Sequence, residues 1–192
     1  MLKTFVCLVG LCPAVYSLTQ IWLLQSGRGH SLGADPAREL LLLQGQWAIQ
    51  FLILTLYITP ARRMTGWTQL IVFRRILGLL TFFYATLHLL AYIVLFLGLD
   101  FASIGTEMIK RPYITLGFMA WCLLVPLAFT STNLMARRLG RKWTALHRVV
   151  YVVALLVIFH VIWLAKASYL DAFVYGTLLL FLSGYRIYAR KN

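Results

Sequence analysis

Long apolar runs, broken by short basic clusters, organise this chain. Six segments carry no charged residue: 4–25, 40–61, 76–99, 112–136, 149–165 and 172–185. A helix needs about 20 apolar residues to cross the hydrocarbon core. The first four runs meet that length. The last two reach it if Arg148, Lys166 and Arg186 extend their side chains from the helix ends to the interface. The runs are continuous rather than alternating, which predicts helices and argues against barrel strands. The first run follows Lys3 and has the outline of a signal peptide. It is longer than the usual apolar core of one and lacks a small-x-small cleavage site, so it is expected to be a membrane helix. Pro126 predicts a kink in the fourth helix, with the hydroxyls of Thr130, Ser131 and Thr132 placed to satisfy freed backbone groups. The expected fold is an all-α integral membrane protein: a six-transmembrane-helix bundle built as one domain, residues 1–192.

Composition agrees. Of the 192 residues, 61% are hydrophobic and 12% charged, whereas a soluble domain averages about 25% charged. The net charge of +13 would suggest nucleic acid in a soluble protein. Here the cations lie between apolar runs, which is the pattern of membrane topology. With the N-terminus in the cytoplasm, 13 basic residues face inward: Lys3, Arg62, Arg63, Arg74, Arg75, Arg137, Arg138, Arg141, Lys142, Arg148, Arg186, Arg190 and Lys191. Five face outward: Arg28, Arg38, Lys110, Arg111 and Lys166, together with every acid in the chain. The excess predicts N-in, C-in topology. Cys7, Cys12 and Cys122 form no CxxC pair and are expected to be small buried hydrophobes. Trp47, Trp67, Trp121, Trp143 and Trp163 are expected to anchor at the interface or pack helices together. No GxGxxG, P-loop or HExxH motif is present. No carboxylate falls inside an apolar run, which argues against an ion-coupled transporter.

The histidines carry the candidate chemistry, because an ionisable side chain inside a membrane is costly. His88 lies 13 residues after Arg75 and His160 lies 12 after Arg148. Both helices run outward, so the two rings reach similar depths, roughly 18–20 Å from the inner end. Two imidazoles at one level can hold a haem iron from both faces. Spacing alone is equally satisfied by two histidines bonded to backbone carbonyls. His147 precedes His160 by 13 residues, a separation that suits two stacked haems. On an ideal helix, however, the two side chains point about 140° apart. Both face one side only if the helix is distorted or begins in an irregular turn. The residue 13 before His88 is Arg75, so a second haem would need an unusual partner ligand. His30 is expected to be a solvated loop residue.

Several local strings are specific. They are Leu32-Gly33-Ala34-Asp35-Pro36, Arg74-Arg75-Ile76-Leu77-Gly78-Leu79, Ala85-Thr86-Leu87-His88, Arg111-Pro112-Tyr113-Ile114-Thr115-Leu116-Gly117, Leu127-Ala128-Phe129-Thr130-Ser131-Thr132, and Leu139-Gly140-Arg141-Lys142-Trp143 followed by Leu146-His147-Arg148 and Tyr151. From about Gly29 to Trp163 the chain resembles the MsrQ (formerly YedZ) family. These are haem-binding membrane subunits of the bacterial protein-methionine-sulfoxide reductase system, within the ferric-reductase-like transmembrane group. The resemblance implies b-type haem, with FMN also described for the family, in the bacterial inner membrane. It implies electrons from quinol or a cytoplasmic flavin reductase, delivered to a periplasmic MsrP-like molybdenum-cofactor reductase that repairs oxidised methionine in proteins. The family's histidines carry over onto His88, His147 and His160. The wider group often has two histidines on the third helix, where this chain has one and Arg75. Arg74 and Arg75, with Arg137 and Arg138, are candidates to hold haem propionates or a flavin phosphate. The expected role is a non-catalytic electron-transfer subunit. Alternatives are a histidine-lined transporter and a stand-alone metalloreductase. Against the last, no nicotinamide–flavin domain is attached by Asn192, so an external donor is expected.

Overall fold

The computed structural model describes residues 2–164 and 169–191, and every regular element among them is helical. The long helices are α1 (Leu2–Gln25), α2 (Pro36–Thr65), α3 (Leu70–Leu95), α5 (Pro112–Phe129), α8 (Val150–Leu164) and α9 (Tyr169–Lys191). Between them stand the shorter α4 (Ser103–Lys110), α6 (Asn133–Leu139) and α7 (Arg141–Leu146), and a 3-10 turn, His147–Val149, leads into α8. Among the described residues five stretches are long and apolar enough to cross a membrane: α1, α2, α3, α5, and Arg141–Leu164, which runs through α7 and α8. The apolar part of α9, Phe173–Tyr185, is shorter. The chain is a multi-pass membrane protein. Lys166, invoked above at a helix end, lies outside the described residues, as does the Arg186 side chain.

Helix ends follow local chemistry. At the start of α2, the Asp35 carboxylate accepts from the Arg38 amide at 3.1 Å, and Pro36 follows it where no donor is needed. The same helix stops at Gly66, whose φ of +68° suits glycine, and the Gly66 amide donates to the Arg62 carbonyl. The fourth apolar run was expected to stay helical to 136, yet α5 ends at Phe129. The hydroxyls of Thr130 and Ser131 take the Pro126 and Leu127 carbonyls at 2.6 Å each, and these bonds close the helix. Chain 133–139 then forms the separate α6.

Helix α2 belongs to both cores. On one side Phe51 and Ile58 pack with Ala14 of α1 and Leu77, Leu80 and Tyr84 of α3. On the other, Leu52 and Leu56 meet Leu124 of α5, Val153 and Ile158 of α8 and Leu179 of α9. Polar ties reinforce this packing where lipid offers no water. Gln44 of α2 donates to the Ser17 hydroxyl of α1 at 2.6 Å, and the Trp121 indole of α5 donates to Thr86 of α3 at 3.0 Å. The Tyr84 hydroxyl, from α3, sits in the α1 backbone: it donates to the Gly10 carbonyl at 2.7 Å and accepts from the Ala14 amide at 3.1 Å.

Large apolar side chains cover the outside of the bundle, among them Phe5, Trp22, Phe83, Leu90, Phe159, Ile162 and Phe181. Cys7, Cys12 and Cys122 are exposed there too, against the expectation of burial. The reason is physical: in lipid an outward helix face is as apolar as an inward one, so an apolar run does not reveal which side a small residue faces. Trp67 and Trp163 are exposed as interface anchors would be, whereas Trp47 and Trp121 pack within the bundle.

Candidate functional site

Four helices meet around two imidazoles. His88 projects from α3 and His160 from α8, and their ring centres lie 6.3 Å apart with planes at 85°. In each ring Nδ1 faces a backbone carbonyl: Leu41 of α2 at 2.9 Å for His88, Tyr113 of α5 at 2.7 Å for His160. A carbonyl only accepts, so Nδ1 carries the proton and Nε2 holds the free lone pair. Among the described residues no hydrogen bond engages either Nε2. Of the two possibilities left open by the spacing, the bonds to backbone carbonyls are present, and they leave each Nε2 without a hydrogen bond among the described residues. That arrangement is the usual way a protein fixes the tautomer and aim of a metal-binding imidazole.

The separation is itself a test of fit. Two metal–nitrogen bonds of ~2.0 Å, each continued ~1.2 Å to a ring centre, span about 6.4 Å. The observed 6.3 Å between ring centres is close to that span. No cluster of three or more His, Cys, Asp or Glu side chains suited to a bare metal ion occurs among the described residues. A pair of imidazoles fits a metal whose remaining positions are already filled, which is the situation of haem iron with its two axial sites.

His147 stands apart from this pair. It opens the 3-10 turn before α8, the irregular start on which a shared facing with His160 depends. Three residues at ~120° rather than ~100° reduce the angle between the two side chains from about 140° to about 80°. The His147 ring stacks on Trp143 at 4.0 Å and its Nδ1 donates to the Trp143 carbonyl at 3.1 Å. Its Nε2 is buried with no partner among the described residues. The Trp143 indole donates to the Thr130 carbonyl at 2.8 Å, so the end of α5 and the start of α8 are joined here. Arg75 donates to the Asn133 side chain, tying the start of α3 to α6. Arg74 and Arg75 both lie close enough to His147 for their charges to act on it. Arg74, Arg75 and His147 thus lie together at one end of the bundle. His30, expected in solvent, has its Nδ1 buried.

Toward the other end, one turn beyond the paired histidines, Tyr92 and Trp163 line two adjoining clefts that share Arg111. Arg111 pairs with Glu107 at 3.2 Å. The Tyr113 side chain, and then Glu107, raise its guanidinium above the usual range. The Asp100 carboxyl nearby is held below its usual range, mainly by the Ser103 hydroxyl.

Sequence reasoning did not find Leu41 and Tyr113, because a carbonyl partner has no residue signature. The one available signal is positional: each lies 47 residues before its histidine.

Comparison with known proteins points to one family. Residues 44–158, which include all of α3 with His88 and the part of α8 that leads up to His160, match the ferric reductase like transmembrane component. The protein-methionine-sulfoxide reductase heme-binding subunit MsrQ of Xanthomonas euvesicatoria is 44% identical over 190 residues, covering 99% of this chain and 87% of that one. The MsrQ of Xanthomonas campestris strain B100 is 45% identical over the same shares. That of Brucella ovis is 48% identical over 143 residues, or 74% of this chain and 62% of its own length. With a family match over more than half its length and relatives this similar along nearly all of it, the chain belongs to the MsrQ family within the ferric-reductase-like transmembrane components.

Proposed function

We propose that this chain is the membrane electron-transfer subunit of a protein-methionine-sulfoxide reductase system. It carries electrons through b-type haem held by His88 and His160, in the bacterial inner membrane. The observation that carries the reading is the approach of these two imidazoles to 6.3 Å between ring centres, each braced by a carbonyl through Nδ1. When bound, haem supplies a one-electron carrier whose potential its axial ligands tune. The chain's own contribution is positional. The helices hold two neutral imidazoles at one depth, and the Leu41 and Tyr113 carbonyls stop the rings from turning.

The six-span, N-in and C-in topology gives this site two sides. On the inner side, His147, Arg74 and Arg75 form a basic entry site suited to an anionic cofactor such as FMN, or to a second, unusually ligated haem. Quinol or a cytoplasmic flavin reductase is the donor there. On the outer side, the mixed charges around Arg111 and Glu107 suit docking of a periplasmic MsrP-like molybdenum-cofactor reductase. Methionine sulfoxide is a reversible lesion that consumes reducing equivalents.

The test uses the whole chain in nanodiscs. It should show a b-haem Soret band, and the reduced form should be reoxidised faster by the periplasmic reductase plus methionine sulfoxide than without them. His88→Ala or His160→Ala should remove or severely perturb that haem while the protein still inserts. Absence of haem from the wild type would favour the transporter alternative. Normal haem content and electron transfer in both single variants would exclude the pair, and no acceleration by partner and substrate would exclude the acceptor.

A further inference from the structure

The arrangement that braces His88 recurs at His160. A carbonyl on one helix, a glycine one turn later, and a histidine on the neighbouring helix make up each unit. Leu41, Gly45 and His88 form the first, and Tyr113, Gly117 and His160 the second. Each member of the second lies 72 positions beyond its counterpart (41 to 113, 45 to 117, 88 to 160). The same offset carries Arg75 onto His147, where the residue types part.

The glycines are where the rings lie. A Cβ on Gly45 would stand 3.0 Å from His88 Nδ1 and 3.1 Å from its Cε1. One on Gly117 would stand 3.0 Å from both Nδ1 and Cε1 of His160. These are tighter than ordinary contacts, and the neighbour that would have to yield is a planar ring already fixed by a hydrogen bond. Helix geometry explains the coincidence. Residues four apart share a face, and every Cβ leans toward the helix N-terminus, so a side chain at 45 or 117 would cover the carbonyl at 41 or 113. Two other helical glycines differ, while Gly10 of α1 is crowded only by the flexible Leu80 side chain. Around Gly78 and Gly176 the nearest atoms to such a Cβ are methyl carbons at 3.8 and 3.7 Å, ordinary contact.

We propose that Gly45 and Gly117 are positioning residues for the haem-binding histidines. By lacking a side chain, each lets an imidazole lie flat enough on the helix to bond the carbonyl one turn earlier, and so turns Nε2 toward the opposite ring. The inference rests on the reading of His88 and His160 as haem ligands. A methyl group at either position pushes the ring off its carbonyl and off the shared axis. The substitution works against two properties of the loaded site: its affinity, and the angle between the ligand planes, which sets the ligand field at the metal.

The experiment compares Gly45→Ala and Gly117→Ala with Gly78→Ala and Gly176→Ala, all in the full chain. Haem per protein, haem affinity, the low-temperature EPR spectrum of the oxidised form and the midpoint potential are measured. Helicity and denaturation of the haem-free protein are followed alongside. Alanine is the better helix former, which offsets the lost bond to the Leu41 or Tyr113 carbonyl, so haem-free Gly45→Ala and Gly117→Ala should be folded and close to wild type in resistance to denaturation. Their haem affinity should fall about tenfold or more, the range seen when a ligand's outer partner is lost. Haem that remains should show a displaced EPR g-value and midpoint potential. The two control variants should match wild type in all four haem measurements. Unchanged affinity, spectrum and potential in Gly45→Ala and Gly117→Ala would overturn the proposal. So would loss of the haem-free fold, which would make the glycines packing residues. His88→Ala and His160→Ala separate the two levels. If they lose haem while the glycine variants behave as wild type, only the positioning role fails; if they keep normal haem, the ligand reading fails and takes the positioning role with it.

Discussion

Replacing Tyr84 with phenylalanine removes one oxygen atom and tests what fastens α1 to the bundle. The Tyr84 side chain is fully buried, and its hydroxyl lies within the α1 backbone between the Gly10 carbonyl and the Ala14 amide. Those two groups are four residues apart and would otherwise bond each other. Next to them Pro13 offers no donor, so the ladder is already open at this point. A buried hydrogen bond is worth ~1 kcal/mol net in water-soluble proteins, and interhelical bonds in a membrane average nearer ~0.6 kcal/mol. Two such bonds give an expected loss of about 1–2 kcal/mol. The lower end applies if α1 straightens and Ala14 closes onto Gly10. The ring itself survives, so its stacking on Phe51 at 5.4 Å is retained and packing loss adds little. The assay is unfolding of the haem-free protein by sodium dodecyl sulfate in mixed micelles, with hydrogen exchange at Ala14. We expect the midpoint to fall and Ala14 exchange to accelerate. A change under ~0.3 kcal/mol with wild-type exchange at Ala14 would refute the reasoning, since α1 would then hold its own ladder without Tyr84.

Two further outcomes follow from the sidedness of the bundle. A reporter fused to the C-terminus should be cytoplasmic and one placed near Asp100 periplasmic; a periplasmic C-terminus would reverse the inner and outer ends assigned to every histidine. His147→Ala should leave the His88–His160 haem in place but slow its reduction by the cytoplasmic donor, and Arg75→Ala should weaken the same step. Loss of all haem in the His147 variant would make it a ligand of the main site, and full-rate reduction in both variants would leave the cluster a polar helix end.

Much of this was legible in the apolar runs, because a chain crossing lipid must satisfy its backbone within helices and must cluster its charges at the ends. The paired depth of His88 and His160 followed from counting residues after Arg75 and Arg148. The end of α5 was half legible: Pro126 predicted a kink and Thr130 to Thr132 a place where freed backbone groups are satisfied, but not that the helix stops at Phe129. Helix α4 was hidden in a short polar stretch between two spans. The faces taken by Cys7, Cys12 and Cys122 were not legible, because lipid and core reward the same residues. Least visible was the bracing of the histidines. Carbonyls are common to all residues, and a glycine in a helix reads as a weak point until the ring lying over it is seen.

The bonds to Leu41 and Tyr113 also decide what cannot travel with an electron. Each imidazole has one ring proton, and in both it is committed to a carbonyl that cannot pass it on. No carboxylate lies within an apolar run to serve as the next stop. Among the described residues the pair thus hands no proton onward, and electron transfer through the proposed haem, on the proposed orientation, would be electrogenic. A membrane potential negative inside then drives electrons outward, by about 2.3 kcal/mol per 100 mV for a full crossing. Repair of oxidised protein outside the cell membrane would draw on the cell's electrical gradient as well as on its reductant.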